Sequence, residues 1–394
     1  MPGKRRQGTL ALHGNENEKG KTGPVTTPIY QTSTYIFPHS EAIEDYMVKG
    51  KRNHYIYARY GNPAQDILEE RFALLEGAEE SLFFSSGMAA ITTAVLSTVK
   101  DGDEIISIPA LYGQTINFFR DELPSLYGVN TRFIEIEDLY DPGKYVTDKT
   151  RLIYFETPTN PNLQIVDIAK VAEIARANGI TTIIDNTFAS PVNQNPIELG
   201  IDIVAHSATK YIGGHSDVLA GVIAAKTEFI EKCKKRMHLY GPVIDPFAVF
   251  LLQRSLKTLE VRVKRQNEIG IELAEFLKTH PKVEKVYYPG LPGDPGYETA
   301  KKQMKGFGGM INIVVKGGKE EAMKVADNFE IAMNATSLGG VETLVSIPVI
   351  TSHVWLSDDE LKKANISRGM IRISVGLEDP DDLKADFDKA LSII

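Results

Sequence analysis

The 394-residue sequence predicts an α/β protein: a large domain built on a mostly parallel sheet, followed by a smaller α+β domain. Three observations predict it. From about residue 62, short apolar runs alternate with helical stretches. Those runs are bounded by Gly, Pro, Asn or Asp, as buried strands are. After about residue 256 the texture changes, and a long helical stretch leads into more widely spaced apolar runs. Strand–helix–strand repetition of this kind is the signature of a sheet covered by helices.

The first element, residues 1–60, looks unlike either domain. It is rich in Gly, Pro, Thr and Tyr, and segments such as PVTTPIYQTSTYIF show little periodicity. An extended arm of this composition is expected to pack on something else, a neighbouring subunit being its natural support. The large domain spans 61–255. Residues 64–76 place Ile67, Leu68, Phe72, Leu74 and Leu75 near helical spacing. Apolar runs at 81–84, 104–108, 132–136, 151–155, 181–184, 201–205 and 221–224 predict buried strands. Between two of them, DIAKVAEIARANG puts Ile168, Val171, Ala172, Ile174 and Ala175 on one helical face, with Gly179 as the stop. The small domain, 256–394, takes up a long helix over 255–280. Strands near 283–288 and 309–315, a helix near 319–329 and a strand near 371–375 follow.

Composition excludes several roles. The net charge is −8 and no long basic run is present, so a nucleic-acid partner is not expected. No apolar stretch approaches the ~18 residues of a membrane span. The basic start MPGKRRQGTL is followed by no apolar core, so it does not read as a secretory signal. Cys233 is the single cysteine and cannot form an internal disulfide, which predicts a cytoplasmic setting. In the charged run EKCKKRMH it reads as a surface thiol.

Several motifs fail on inspection. Gly14 and Gly20-Lys21-Thr22 imitate a phosphate-binding P-loop, but five residues separate the glycines and no strand precedes them. No GxGxxG follows a strand. Gly214-His215-Ser216-Asp217-Val218 starts like a nucleophile elbow and lacks its last glycine. The eight histidines never pair at i, i+3 or i+4, so no metal site is expected.

The strand ends are more informative, because open α/β sheets bind ligands at the carboxyl ends of their strands. Asn160 follows the run at 151–155 in a Pro-framed turn. Asp185 follows the run at 181–184. His206-Ser207-Ala208-Thr209-Lys210 follows the run at 201–205, and Ser86-Gly87-Met88 opens a helix after the run at 81–84. Taken singly, Asp185 also suits a helix N-cap, Asn160 a turn and Lys210 a solvated surface. Together they suit pyridoxal 5′-phosphate. Lys210 offers an amine for the aldehyde. Asp185 can hold the ring nitrogen protonated, which makes the ring an electron sink. The N–H groups of Gly87 and Met88 at a helix start favour a phosphate, and the Ser207 and Thr209 hydroxyls can reach the same anion.

At this point the chain resembles the Cys/Met-metabolism pyridoxal-phosphate enzymes, the trans-sulfuration family of the aspartate-aminotransferase-like fold. The lysine string is SATKYIGGHSDVLAG. In the same order the chain carries YARYGNP, SSGMAAI, LYGQT, ETPTNPN, DNTFASP, SLGGVETL and IRISVGLE. The resemblance implies further roles. Tyr57 and Arg59 reach the cofactor phosphate of a neighbouring subunit, in a homotetramer with shared active sites. Tyr112 stacks on the ring and helps with proton transfer, and Asn160 bonds the ring hydroxyl. Arg372 binds the substrate carboxylate, and Ser337 lies in the loop that seats the substrate. It also implies small amino-acid substrates and a reaction at their γ-carbon. Many cystathionine synthases and lyases carry a glutamate where this chain has Thr336. Methionine γ-lyases often carry a cysteine where it has Gln114. The expected reaction is γ-replacement on an O-acylhomoserine with cysteine. γ-Elimination from cystathionine or methionine is the alternative, and homoserine-ester sulfhydrylation the third.

Overall fold

The computed structural model describes residues 5–15, 22–50, 54–354 and 356–394. Most of the P-loop-like segment and Trp355, expected in a packing or mobile loop near the substrate, lie outside the described residues. Strands β1 (Glu80–Phe84), β2 (Glu104–Ser107), β3 (Asn130–Phe133), β4 (Thr150–Glu156), β5 (Thr181–Asp185), β6 (Ile203–His206) and β7 (Gly221–Ala225) form one sheet. Its order is β1-β7-β6-β5-β4-β2-β3. All neighbours are parallel except β7, which runs antiparallel to both β1 and β6. The central strands are apolar without alternation because helices cover both faces. Strand β3 departs from its expected burial. It lies at the sheet edge, two residues earlier than its apolar run, with Asn130 and Arg132 exposed.

The helices begin where the sequence supplies caps. Asn62 accepts the Ala64 N–H ahead of helix Pro63–Glu76, whose end is closed by left-handed Gly77. That helix buries Leu68 and Phe72, and Phe72 meets Phe83 edge-on. Asp167 caps Ile168–Ala177 in the same way.

A second sheet holds β8 (Val283–Tyr287), β9 (Met310–Val315), β10 (Met333–Asn334), β11 (Leu344–Ser346) and β12 (Met370–Ser374), in the order β10-β11-β12-β9-β8. Strands β10 and β11 are too short to leave a periodic trace in the sequence. The single helix expected over 255–280 is two, Pro246–Leu256 and Leu259–Thr279, broken at Lys257 and Thr258.

Two other expectations are corrected. The N-terminal segment is not extended throughout: Gln7–His13 is helical and buries Leu10 and Ala11 in the chain's own core. The described residues between it and residue 60 are mostly exposed, with Val25 and Ile36 each 99% accessible. Cys233 is not a surface thiol. It lies on the inner face of helix Thr227–Tyr240, fully buried, and burial pushes its pKa up to about 11. The flanking Lys and Arg residues masked an amphipathic helix whose apolar stripe includes Ile230, Cys233 and Met237.

Candidate active site

The ends of β4, β5 and β6 open into a cavity of about 650 Å³, closed on the other side by residues 336–338, 350–352 and Arg372. Every predicted site residue lines it except Tyr57 and Arg59. Tyr57 precedes and Arg59 lies within the exposed turn Ala58–Tyr60, where the Arg59 guanidinium sits 5.4 Å and 5.1 Å from the rings of Tyr57 and Tyr60.

Ser86 has extended backbone, and its Oγ accepts the Ala89 N–H at 3.1 Å, which starts helix Gly87–Thr98 at the cavity wall. A helix start presents free N–H groups and the positive end of the dipole. Glycine is required beside it twice. A Cβ on Gly87 would lie 2.9 Å from Ser207 Cβ, and one on Gly221 would lie 2.1 Å from the Ser86 carbonyl oxygen. Strand β7 can therefore press its backbone against the helix start, and Ser207 can press against Gly87.

Lys210 sits on the loop joining antiparallel β6 and β7. The loop is tied at its neck. The Thr209 N–H donates to the Ala220 carbonyl (3.2 Å), and the Ala220 N–H donates to Thr209 Oγ1 (3.0 Å). The Thr209 hydroxyl itself donates to the Ala220 carbonyl at 3.1 Å. Buried Arg262 donates to the Tyr211 carbonyl at 2.8 Å, which fixes the residue after the lysine. Lys210 Nζ donates to Ser337 Oγ at 2.9 Å. Burial, and then the charge of Arg372, lower its pKa to about 8.

Asp185 ends β5, where Oδ1 accepts the Thr187 N–H at 2.9 Å. Thr187 Oγ1 in turn accepts the Ser207 N–H at 2.8 Å, linking this turn to the lysine segment. Burial raises the Asp185 pKa, while Thr187 and His206 oppose the rise. Arg372 on β12 is buried. It donates to Asn160 Oδ1 at 3.3 Å and to the Ser337 carbonyl at 3.5 Å. Burial lowers its pKa to about 10, so it is still a cation at neutral pH. Tyr112 is 42% exposed at the cavity mouth, and its N–H donates to Glu156 Oε1 at 2.8 Å.

Sequence reasoning passed over Glu156 and Thr187. Both stand in the quoted strings, Glu156 at the last position of a strand and Thr187 two residues after Asp185. Their roles depend on cross-strand register, which no local pattern reveals.

These residues fit pyridoxal 5′-phosphate. The glycine-lined helix start has room and charge for a phosphate. The lysine amine is partly desolvated and bonded to a hydroxyl. A carboxyl is buried across from it. The chain matches the profile described as "Cys/Met metabolism PLP-dependent enzyme" over residues 8–392. It is 41% identical over 392 residues to the cystathionine gamma-lyase of Dictyostelium discoideum, covering 99% of each chain. It is also 41% identical to the chloroplastic cystathionine gamma-synthase 1 of Arabidopsis thaliana, covering 98% of this chain and 69% of that protein. The fold superposes on the crystal structure of cystathionine gamma-lyase from Lactobacillus plantarum complexed with L-serine. The TM-score is 0.91 at 37% identity, with 98% and 99% of the two chains covered. Sequence, fold and cavity thus agree from one end to the other: the chain belongs to the Cys/Met-metabolism PLP-dependent enzymes, and pyridoxal 5′-phosphate is its cofactor.

Proposed function

We propose that this enzyme catalyses γ-replacement on an O-acylhomoserine, with cysteine as the incoming thiol and cystathionine as the product. The neutral wall facing the strand ends carries this reading. Gln114, Thr336, Ile350, Thr351 and Ser352 line it, and the cavity's described carboxylates are Glu156 and Asp185, at the ends of β4 and β5. An uncharged ester fits such a wall. The distal ammonium of cystathionine finds no carboxylate on it, whether cystathionine enters as a substrate or leaves as the product, so the wall favours the ester as first substrate and the test below separates replacement from elimination.

The bound cofactor supplies the electron sink that acidifies the substrate's Cα–H and Cβ–H bonds. Lys210 holds the cofactor and then, as a free amine, moves the protons at Cα and Cβ. Its lowered pKa suits exchange in both directions near neutrality. Asp185 keeps the ring nitrogen protonated, and Asn160 holds the ring hydroxyl. Tyr112 covers the ring and serves as general acid or base at the leaving substituent. The N–H groups of Gly87 and Met88, with Ser86 and Ser207, hold the phosphate, and Thr209 joins them when its hydroxyl proton turns from the Ala220 carbonyl. Arg372 clamps the substrate carboxylate through its guanidinium fork, pre-aimed by Asn160 and Ser337. Tyr57 and Arg59, exposed on their own chain, complete the phosphate site of a neighbour in a cytoplasmic homotetramer.

γ-Elimination to 2-oxobutanoate and ammonia uses the same residues until the γ-substituent has left. The equal identity to a lyase and a synthase keeps it as the second reading. The test feeds the holoenzyme O-acetylhomoserine with and without cysteine, and cystathionine or methionine alone. Thiol-dependent cystathionine formation, at least about tenfold faster than any 2-oxobutanoate release, is expected. Rapid 2-oxobutanoate release from cystathionine without a thiol overturns the synthase reading.

A further inference from the structure

The cavity contains a second buried carboxyl that the reading above leaves unused. Glu156 ends β4 and stands in register with Asp185, the end of parallel β5. Partners in register point to the same face of a sheet, with their backbones about 4.8 Å apart. Both side chains line the cavity, and they are only 5% and 8% exposed. Two carboxyls placed so close in a desolvated site do not both ionise. Their surroundings decide which one keeps the charge. Asp185 has the Thr187 N–H, and His206 lies nearby. Glu156 accepts one bond, from the Tyr112 N–H.

We propose that Glu156 is a positioning residue: held as an uncharged carboxyl, it anchors the backbone of Tyr112 through Oε1 and leaves Asp185 the one negative charge among the cavity's described residues. Burial and then the charge of Asp185 push the Glu156 pKa well above the carboxylate range, in agreement with the geometry. The other titratable groups on this face are Tyr154 on β4 and Tyr112, with Lys210 and Arg372 elsewhere on the wall. Tyr154 Oη is buried beside Thr115 and offers no charge. Its pKa is itself raised well above normal, so Glu156 faces no cation of its own on β4 or β5. The bond to Tyr112 is to main chain. Glu156 therefore fixes the Tyr112 backbone within the Leu111–Gly113 turn, beside the hold that His353 has on the Leu111 backbone, whatever substrate the enzyme accepts.

This inference rests on the assignments of Tyr112 and Asp185 made above, and its test does not depend on the identity of the substrate. Glu156→Ala, Glu156→Asp and Glu156→Gln are compared as holoenzymes. The readouts are the cofactor dissociation constant, the pH midpoint of the cofactor's visible absorption, and turnover of any accepted substrate. Alanine removes the anchor and aspartate shortens it. Both are expected to lower kcat by at least about thirtyfold with little change in thermal midpoint. Glutamine keeps a carbonyl acceptor in a neutral group. It is expected to recover at least about tenfold of that loss and to leave the absorption midpoint within about 0.3 pH units of wild type. If glutamine is as damaging as alanine and displaces the midpoint, the charge of Glu156 matters and the proposal fails. If a folded alanine variant, or the aspartate variant should alanine not fold, binds cofactor and turns over like wild type, there is no anchor to lose and the proposal fails as well.

Discussion

His353 should make the protein measurably less stable as pH falls from neutrality, through a group with no place in the proposed chemistry. It is 2% exposed, and its Nδ1 lies 2.8 Å from Ser352 Oγ. Burial and the charge of Arg372 lower its pKa from the ordinary 6.5 to about 4, against a small opposing effect from the Leu111 backbone. The unfolded chain takes up a proton below pH 6.5 that the native chain does not take up until about pH 4. Stability is therefore full above 6.5, falls between 6.5 and 4, and is level below. The whole displacement corresponds to about 3 kcal/mol. Glu69 acts in the other direction. Burial raises its pKa to about 7, so its contribution is full below pH 4.5 and is lost as pH rises through 7. The two slopes oppose one another in wild type, so the difference from a variant is the quantity to measure. His353→Gln removes the titration and keeps a polar side chain beside Ser352. Urea unfolding of cofactor-free protein, followed by circular dichroism from pH 7.5 to 4, gives stability for both proteins. The wild-type value minus the variant value should shrink by about 2–3 kcal/mol across the window. A constant difference would refute the assignment of a buried, neutral His353.

Three further outcomes are expected. Uptake of pyridoxal phosphate by cofactor-free protein should accelerate as pH rises towards 8 and level off above it, because the free Lys210 amine is the reactive form; a flat rate between pH 6.5 and 9 in stopped-flow absorbance contradicts the lowered pKa. Cys233 should resist thiol reagents until the protein unfolds, because its thiol is buried and its pKa raised to about 11; prompt labelling of native protein places it at the surface after all. Gly221→Ala should weaken cofactor binding by at least about tenfold, since its Cβ would meet the Ser86 carbonyl oxygen at 2.1 Å and push the helix start outward; unchanged affinity in an absorbance titration shows that the cradle gives way.

What the sequence made legible was what is local. Seven apolar runs marked the strands of the large sheet because all of those strands but the edge strand β3 are largely buried and need no alternation. Asp185, Lys210, Asn160 and Ser86 were found because each falls just past such a run. The antiparallel course of β7 left no trace, since an apolar strand reads the same in either direction. The partnership of Glu156 with Asp185 depends on register between strands separated by a helix, and the bond from Arg372 to Asn160 joins residues 212 apart. Cys233 misled because its neighbours in sequence are charged while its neighbours in space are Ile230, Met237 and the helix beneath them. The break at Lys257 and Thr258 was invisible because neither residue disrupts a helix by itself.

The tied hairpin between β6 and β7 has a consequence for how such an enzyme can diverge. Because β7 returns antiparallel beside β6, the lysine loop is closed by its own neck and needs no crossover helix to carry it back. It occupies a fixed seat, with Thr209 and Ala220 as its hinge pins and Arg262 bracing it from below. The opposite wall belongs to another part of the chain, residues 336–352, with Thr336 and Ile350 exposed. Substitutions at Thr336 and Ile350 can redraw the list of accepted substrates without disturbing the seat of the amine, whereas Ser337 between them is itself bonded to Lys210 Nζ. Arg372 on β12 stays bound to the reaction, so the freedom to vary belongs to the exposed positions of this wall and not to the second sheet as a whole.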